Sequence, residues 1–565
     1  MSGYGDRFRR AGYVVPKPLI EVDGKPIIEY VIDLFPGETD FIFICNEDHL
    51  ANPHYQMQQI LRNLCPTGRI VGIPAHKLGP IHAIRQIEHL LDPAKPVVVN
   101  YCDFTCYWDW EHFKAFVAKI QCAGAIPAYK GFHPHSLGTT NYAYLKEVPS
   151  TIPGKESGWL LDIQEKKPFT DNRMEEYASS GTYYFASAKI MSNAFDQTIA
   201  QNLNVGGEFY VSLSYKPMLA ERKKIAIYPL QHFMQWGTPD DLAEYSKWSK
   251  IFRDLISHSI DKNQESPAGS LVIPMAGLGK RFAVEGYTFT KPLIPVSGKA
   301  MAIMAISDLP KANYQSLVLR SDMPDLARIE ESLSTYFPDA IKTLVPYVTE
   351  GQACTALIGL DALEKATHIT QVNQADIAPV TFSVCDSAVL FNQAAYQSLI
   401  DNPEIDVIVW GTRGHANAVR NPQMFGWIDA DDNSSIRNIS VKTSLAAPDV
   451  DPIVIGTFTF KKPSDAKRAI DSLIARNGRI NGEFYLDSCI NDALALGLRC
   501  HLFEVDSFIS WGTPDDLKTF EYWQSCFHKW LHHPYRLELD SRVEQSSLTS
   551  LTERYQALIP DLPQL

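Results

Sequence analysis

A chain of 565 residues is too long for one hydrophobic core, and 45% hydrophobic with 21% charged residues is ordinary for globular protein. A formal net charge of −13 without any basic run excludes a general nucleic-acid or membrane-surface binder, and no apolar run reaches the length of a membrane span. Ten cysteines with no CxxC pair read as reduced core thiols in a cytoplasmic setting.

Met1 to Arg10 is glycine-rich and charged and lacks the apolar stretch of a signal peptide. It opens MSGYGDRFRRAGYVVPKPLIEVDGKPI, in which Gly3 and Gly5 precede Arg7, and Lys17-Pro18-Leu19 precedes an apolar run. Ile27–Phe35 reads as a helix and Phe41–Cys45 as a strand. Val97–Asp103 reads as a buried strand ending in a carboxylate, a position where open α/β sheets bind ligands, with helix capping the lesser alternative for Asp103. His133-Pro134-His135 suggests a metal at first sight but has no partners in sequence and reads as a loop. Glu165-Lys166, Gly181 in SGTYYF, Glu208 in GEFY and Trp236–Leu242 (WGTPDDL) follow. In the last of these, Thr, Pro and two acids make a good helix start, which needs no functional role.

Arg253–Ser270 is polar with Pro and Gly and reads as a linker. Beyond it the first stretch returns. LVIPMAGLGKRFAVEGYTFTKPLIPVSGKAM begins with a strand and places Gly277, Gly279, Arg281 and Lys291 274 positions after Gly3, Gly5, Arg7 and Lys17. Asp386 ends a second strand as Asp103 does, and Lys442, Gly456, Glu483 and Trp511–Leu517 match the later motifs. The chain therefore reads as a tandem repeat. The first copy lacks a counterpart of Leu271–Pro274, which leaves two explanations open: a start placed too late, or a truncated, degenerate domain. The tail from Tyr535 reads as helical, packing on a domain or forming a homo-oligomer.

Strand, glycine loop and fixed cations suit a polyphosphate. Collected, these motifs resemble the sugar-phosphate nucleotidyltransferases (sugar nucleotide pyrophosphorylases), and more narrowly their capsule and lipopolysaccharide branch, through Thr349–Thr355 (TEGQACT) and Asn481–Tyr485 (NGEFY). The resemblance implies an α/β fold of two tandem GT-A-like (Rossmann-like) domains with mostly parallel sheets: residues 1–255, a linker at 256–270, residues 271–530 and a tail at 531–565. It implies Mg²⁺-dependent transfer of a nucleotidyl group from a nucleoside triphosphate to a sugar or polyol phosphate, with release of pyrophosphate. By the same resemblance Gly3, Gly5, Gly277 and Gly279 cradle the triphosphate, with Arg7 and Arg281 on its distal phosphates and Lys17 and Lys291 at the α-phosphate. Asp103 and Asp386 hold Mg²⁺. Gly351 and Gln352 touch the nucleotide, as does the segment His76–His82. Glu165, Lys166, Gly181, Glu208, Lys442, Gly456 and Glu483 receive the acceptor.

Three departures follow from that resemblance. Gln235 and Ser510 stand where many members carry a second metal-binding Asp, Val441 replaces the Glu of the Glu-Lys pair, and His76–Pro80 is unlike Thr349–Ala353. Two competing readings are a nucleotide-sugar glycosyltransferase and a non-catalytic nucleotide sensor in one or both repeats.

Overall fold

The protein, seen in a computed structural model, is described at residues 1–138, 140–257, 268–369, 377–558, 562, 563 and 565. Most of the expected linker at 256–270 lies outside the described residues, as does Pro560 of the tail. The chain forms two compact units: residues 1–250 with 525–533 and 552–565, and residues 251–524 with 534–551. Both are mixed α/β with parallel sheet segments.

In the second unit the strands Ile341–Val345, Tyr314–Arg320, Ser270–Pro274 and Val380–Phe382 lie side by side in parallel. Ile453–Phe460 then pairs antiparallel with both Val380–Phe382 and Val407–Thr412, and Cys500–Glu504 closes the order in parallel. The inner strands Ser270–Pro274, Val380–Phe382 and Val407–Thr412 are buried on both faces, which is why they are largely continuous apolar runs and do not alternate. Gln352–Ile369, Pro463–Ala475 and Leu486–Ala495 cover one face, packing Ala353, Leu360, Ala466 and Ile490 against Val272, Val380 and Phe458.

The first unit has the same kinds of strands in a divided sheet. Ile42–Asn46 and Arg69–Ile73 form a parallel pair by themselves. Val97–Asn100 belongs to a second sheet in which every pairing but one is antiparallel, the exception being Gly124–Tyr129 with Ile225–Pro229. The expectation of mostly parallel sheets is thus met least here, since among the described residues no strand pairs with both Ile42–Asn46 and Val97–Asn100.

All ten cysteines are unbridged. Among the described residues no helix is long and apolar enough to cross a membrane, and no three His, Cys, Asp or Glu side chains cluster as a metal site. His133 and His135 instead pack around Tyr129, with ring centroids 4.5 and 5.3 Å away. The tail is helical at Leu548–Ala557, preceded by two short 3₁₀ turns at Leu537–Leu539 and Gln545–Ser547.

Candidate active sites

Each unit builds the same local frame from its glycine loop. Gly5 and Gly279 adopt left-handed conformations, φ 67° and 60°, and start the short helices Asp6–Arg10 and Lys280–Val284. Gly3 and Gly277 have ordinary φ, and a Cβ at either would meet no protein atom within 4 Å. Glycine there is therefore not demanded by neighbouring protein, and its absence of a side chain leaves open space above the loop. Phe8 and Phe282 anchor these helices in the interior, while Arg7 and Arg281 stay exposed.

Lys-Pro-Leu forms a 3₁₀ turn in both units, burying Pro and Leu so that the lysine alone turns to the cleft. Lys17 Nζ donates to Asp103 Oδ2 at 2.6 Å and to the Gly237 carbonyl at 2.9 Å. Lys291 Nζ donates to Asp386 Oδ2, and to the Gly512 carbonyl at 3.4 Å. Burial opposes the Lys291 charge, but Asp386 and Cys385 outweigh it and raise the pKa of the ammonium. The strand-end aspartates are not spent on helix capping: their backbone carbonyls accept from Trp236 and Trp511, fixing the Trp-Gly-Thr-Pro turn beside them. That turn is a helix start as well, since the Thr238 and Thr513 hydroxyls accept the backbone N–H of Asp241 and Asp516 and donate to the same residues' carboxylates.

Only Oδ2 of each aspartate is taken by lysine, which leaves Oδ1 for a cation. A single carboxylate suits Mg²⁺, which keeps several waters and takes other oxygens from phosphates. A Cβ built on Gly237 would lie 2.1 Å from Gln235 Nε2 and 3.5 Å from Asp103 Oδ2, and one built on Gly512 would lie 3.4 Å from Asp386 Oδ2 and 3.5 Å from Ser510 Oγ. Gln235, through Nε2, and Ser510, through Oγ, therefore sit beside the aspartates as neutral polar groups where the resemblance implies a second carboxylate. The residues fit a one-carboxylate Mg²⁺ site.

Farther along the cleft, Lys166 and Lys442 both hold left-handed backbones, φ 57° and 62°. A lysine gains nothing locally from this conformation, and residues kept in it at about 1–3 kcal/mol each cluster at functional sites. Lys166 Nζ donates to Tyr210 Oη at 2.6 Å, and Tyr210 Oη donates to Glu208 at 2.6 Å. Lys442 Nζ donates to the Met424 carbonyl at 2.5 Å and lies 5.4 Å from the Tyr485 ring centre. Arg281 is near enough to Lys291, Lys442 and Tyr485 to influence all three, so the exposed arginine faces both ends of this cleft.

The second unit compensates for Val441. Glu165 accepts from Ser212 Oγ at 2.5 Å, and burial pushes its carboxyl up to about 6. At the corresponding positions the second unit has Val441 and Asp487, so the carboxylate has moved from the strand to the first turn of the helix Leu486–Ala495. Burial pushes Asp487 up to about 6 as well, with Lys442 opposing. Gly426, opposite Val441 in the ladder, makes the room: a Cβ there would lie 2.4 Å from Asp487 Oδ2, whereas the first unit has Ala143 opposite Glu165. The carboxylate missing from the Glu-Lys pair is thus supplied by a residue that sequence reading passed over.

The unlike segments also share a backbone. Gly79 and Gly351 have φ of 89° and 139°, and a Cβ on either would strike the backbone of Phe209 or Phe484. Phe209 N donates to the Leu78 carbonyl and Ile81 N to the Phe209 carbonyl, and Phe484 N and Ala353 N do the same around Glu350. This straps the Gly-Glu-Phe-Tyr segment of each unit to the segment expected at the nucleobase. Side chains differ: His82 lies against Phe209 and His76 against His82 in one unit, while Arg479 pairs with Glu350 and stacks 4.1 Å from the Phe484 ring centre in the other. Gly181 and Gly456 share positive φ, 97° and 81°, at the start of one strand and within another. Glu483 is exposed at the rim.

Residues 2–163 match the MobA-like NTP transferase domain. Among solved structures, the chain is similar to the nucleoside-diphosphate-sugar pyrophosphorylase of Vibrio cholerae RC9, at 19% identity over 44% of this chain and 98% of that one, TM-score 0.35. It is also similar to the inositol-1-phosphate CTP transferase of T. maritima, at 14% identity over 46% and 96%, TM-score 0.35. A third is apo UDP-glucose pyrophosphorylase, at 12% identity over 46% and 99%, TM-score 0.34.

Proposed function

We propose that the two units are copies of one nucleotidyltransferase domain, at least one of which moves a nucleotidyl group from a nucleoside triphosphate to a sugar or polyol phosphate and releases pyrophosphate. The observation that carries this reading is the repeated triad of glycine loop, Lys-Pro lysine and strand-end aspartate, with lysine and aspartate already in contact in both units. The match of residues 2–163 to an NTP transferase domain agrees with it.

In this reading the open loops at Gly3–Gly5 and Gly277–Gly279 receive the phosphates on backbone N–H groups. Arg7 and Arg281 bind distal phosphate oxygens. Lys17 and Lys291 are held by their aspartates in the extended pose that the α-phosphate needs, so their charge costs no reorganisation when negative charge builds there. Mg²⁺, held by Asp103 or Asp386, neutralises phosphate oxygens when bound. At the far end Lys166 or Lys442 binds the acceptor's phosphate, while Glu165 or Asp487 accepts from its hydroxyls. Such a transfer requires positioning and charge neutralisation more than covalent help from the protein. In this reading the product is an activated sugar for surface polysaccharide made in the cytoplasm, a role supported only by the resemblance of TEGQACT and NGEFY.

The test is pyrophosphate release with Mg²⁺, each common nucleoside triphosphate and a panel of sugar and polyol phosphates. Release that requires one triphosphate and one acceptor is expected. Triphosphate binding without turnover across the panel would replace the reading with a sensor.

Acceptor binding is also expected to depend on pH. A carboxyl with a pKa of about 6 is mostly protonated at pH 5 and mostly ionised at pH 7, and only the ionised form offers all its lone pairs to hydroxyls. KM for the acceptor should fall by about tenfold from pH 5 to pH 7, in proportion to the ionised fraction. Glu165→Gln or Asp487→Asn, in whichever unit turns over, should flatten that profile.

A variant separates strain from stability. Lys166→Gly removes the left-handed penalty and the amine together, so the unfolding free energy from urea titration should stay within about 1 kcal/mol of the parent. Acceptor KM in the first unit should rise at least about tenfold, the loss of one charge-assisted contact.

A further inference from the structure

The glycine loop of the second unit rests on a buried arginine. Arg320 ends Tyr314–Arg320, the strand paired in parallel with Ser270–Pro274, and is only 4% exposed. Its Nη1 donates to the Ala276 and Gly277 carbonyls, at 2.9 and 3.0 Å. Its Nε donates to Asp322, whose side chain is 61% exposed. Arginine is almost never buried so deeply unless it is paired. Here the guanidinium is spent on two main-chain oxygens of the loop, while its carboxylate partner lies largely in water.

Those two bonds decide which way the loop faces. In a trans peptide the C=O and the following N–H point in opposite directions. Drawing the Ala276 and Gly277 carbonyls onto Arg320 therefore turns the N–H groups of Gly277 and Leu278 away from it. Among the described residues neither N–H meets an acceptor. Successive N–H groups held this way form an anion-binding concavity. The positive charge fixed behind them adds an attraction that water screens little at such depth.

The first unit lacks this support. Asn46 ends Ile42–Asn46 at the position matching Arg320 in the repeat, and it is equally buried. Its Oδ1 accepts from Asp48 N at 2.8 Å, so it caps the helix Glu47–Ala51 and carries no charge to the loop. Among the described residues no side chain donates to the Ser2 or Gly3 carbonyl; the loop is tied instead by Tyr4 Oη, which donates to the Ala75 carbonyl at 3.3 Å. We infer that Arg320 is a positioning residue that presets the second unit's loop for a polyphosphate, and that the second unit is for this reason the tighter polyphosphate site. The inference rests on the reading of both loops as phosphate cradles and deepens it by ranking the two units.

The test is calorimetric titration of the full chain with inorganic tripolyphosphate and Mg²⁺, a probe that needs neither nucleobase nor acceptor. The parent should bind one equivalent tightly and any second one more weakly. Arg320→Met fills similar space without donors or charge, and should loosen the tight class at least about tenfold while leaving the weaker class unchanged. Arg320→Lys keeps the charge but cannot bridge both carbonyls, and should loosen it about threefold. Near-ultraviolet circular dichroism at the titration temperature identifies the folded variants, and Arg320→Lys decides alone where Arg320→Met is unfolded. A merely structural arginine would lower the melting midpoint and leave the affinity of the folded protein untouched. A tight class unchanged in the folded variants, or two equal classes in the parent, would overturn the inference and leave the loops as phosphate sites. No binding by the parent would overturn the polyphosphate reading itself, and this inference with it.

Discussion

Asp386→Asn should lower pyrophosphate release by the second unit at least about a thousandfold, and Asp103→Asn should do the same in the first. Each aspartate has two tasks in the proposed chemistry: it presents one oxygen to a cation and holds the neighbouring lysine in place with the other. Asparagine keeps the shape but loses the charge. Its amide oxygen can still accept from lysine, so folding is preserved better than with alanine, which would leave a half-buried ammonium without its carboxylate. Comparing the two single variants and the double variant assigns turnover to a unit. A partial rate in each single variant, the two summing to the parent's, with loss in the double shows two active units. Loss in Asp386→Asn alone leaves the first unit to ligand binding, in keeping with its divided sheet. A parent rate in the double variant would remove both aspartates from the chemistry and with them the proposed function.

The second large effect is expected at the glycines of the strap. Gly351→Ala should destabilise the second unit by about 2–4 kcal/mol, and Gly79→Ala should act likewise in the first. At Gly351 the new methyl would lie 2.4 Å from Phe484 N and 2.5 Å from Phe484 O, with φ at 139°. Backbone cannot give way as a flexible side-chain end can, so the hydrogen bonds linking residues 350 and 353 to Phe484 must open. The same strap joins the expected nucleobase segment to the acceptor segment. Urea unfolding reads the stability, and the selectivity among triphosphates reads the strap: it should relax in Gly351→Ala even at temperatures where the variant is folded. Unchanged stability together with unchanged selectivity would mean that the strap constrains neither.

The parts of the site legible in sequence are those whose chemistry is local. The glycines, Lys-Pro-Leu and the strand-end aspartates recur at fixed spacing, and the structure brings Lys17 to Asp103 and Lys291 to Asp386 across more than 80 residues. Asp487 was missed because its function depends on Val441 and Gly426, each far away in sequence; in isolation it reads as an acid in a helix's first turn. Tyr210 was visible only as an aromatic after Glu208, and nothing local shows that Lys166 and Glu208 meet through its hydroxyl. The likeness of His76–Pro80 to Thr349–Ala353 escaped notice because it lies in backbone and glycine position, while the side chains have diverged. Helices and buried strands were readable from apolar runs. That no stretch of the first repeat aligns with Leu271–Pro274 was legible in the sequence, but the division of the first unit's sheet required the three-dimensional arrangement.

The exchange of carboxylate between strand and helix has a consequence for how the two halves can be altered. Val441→Glu alone would set a second carboxylate beside Asp487, and Asp487→Ser alone would leave Lys442 only the exposed Glu483. In the reverse direction, Ser212→Asp would meet Glu165 and the methyl of Ala143. Each single step passes through an unfavourable intermediate, so the three positions should be strongly non-additive, and a transplant between halves should succeed only when all three change together. The two halves are separated by a fitness valley at this point: both sides have the same net charge, and the side chain that supplies it has changed.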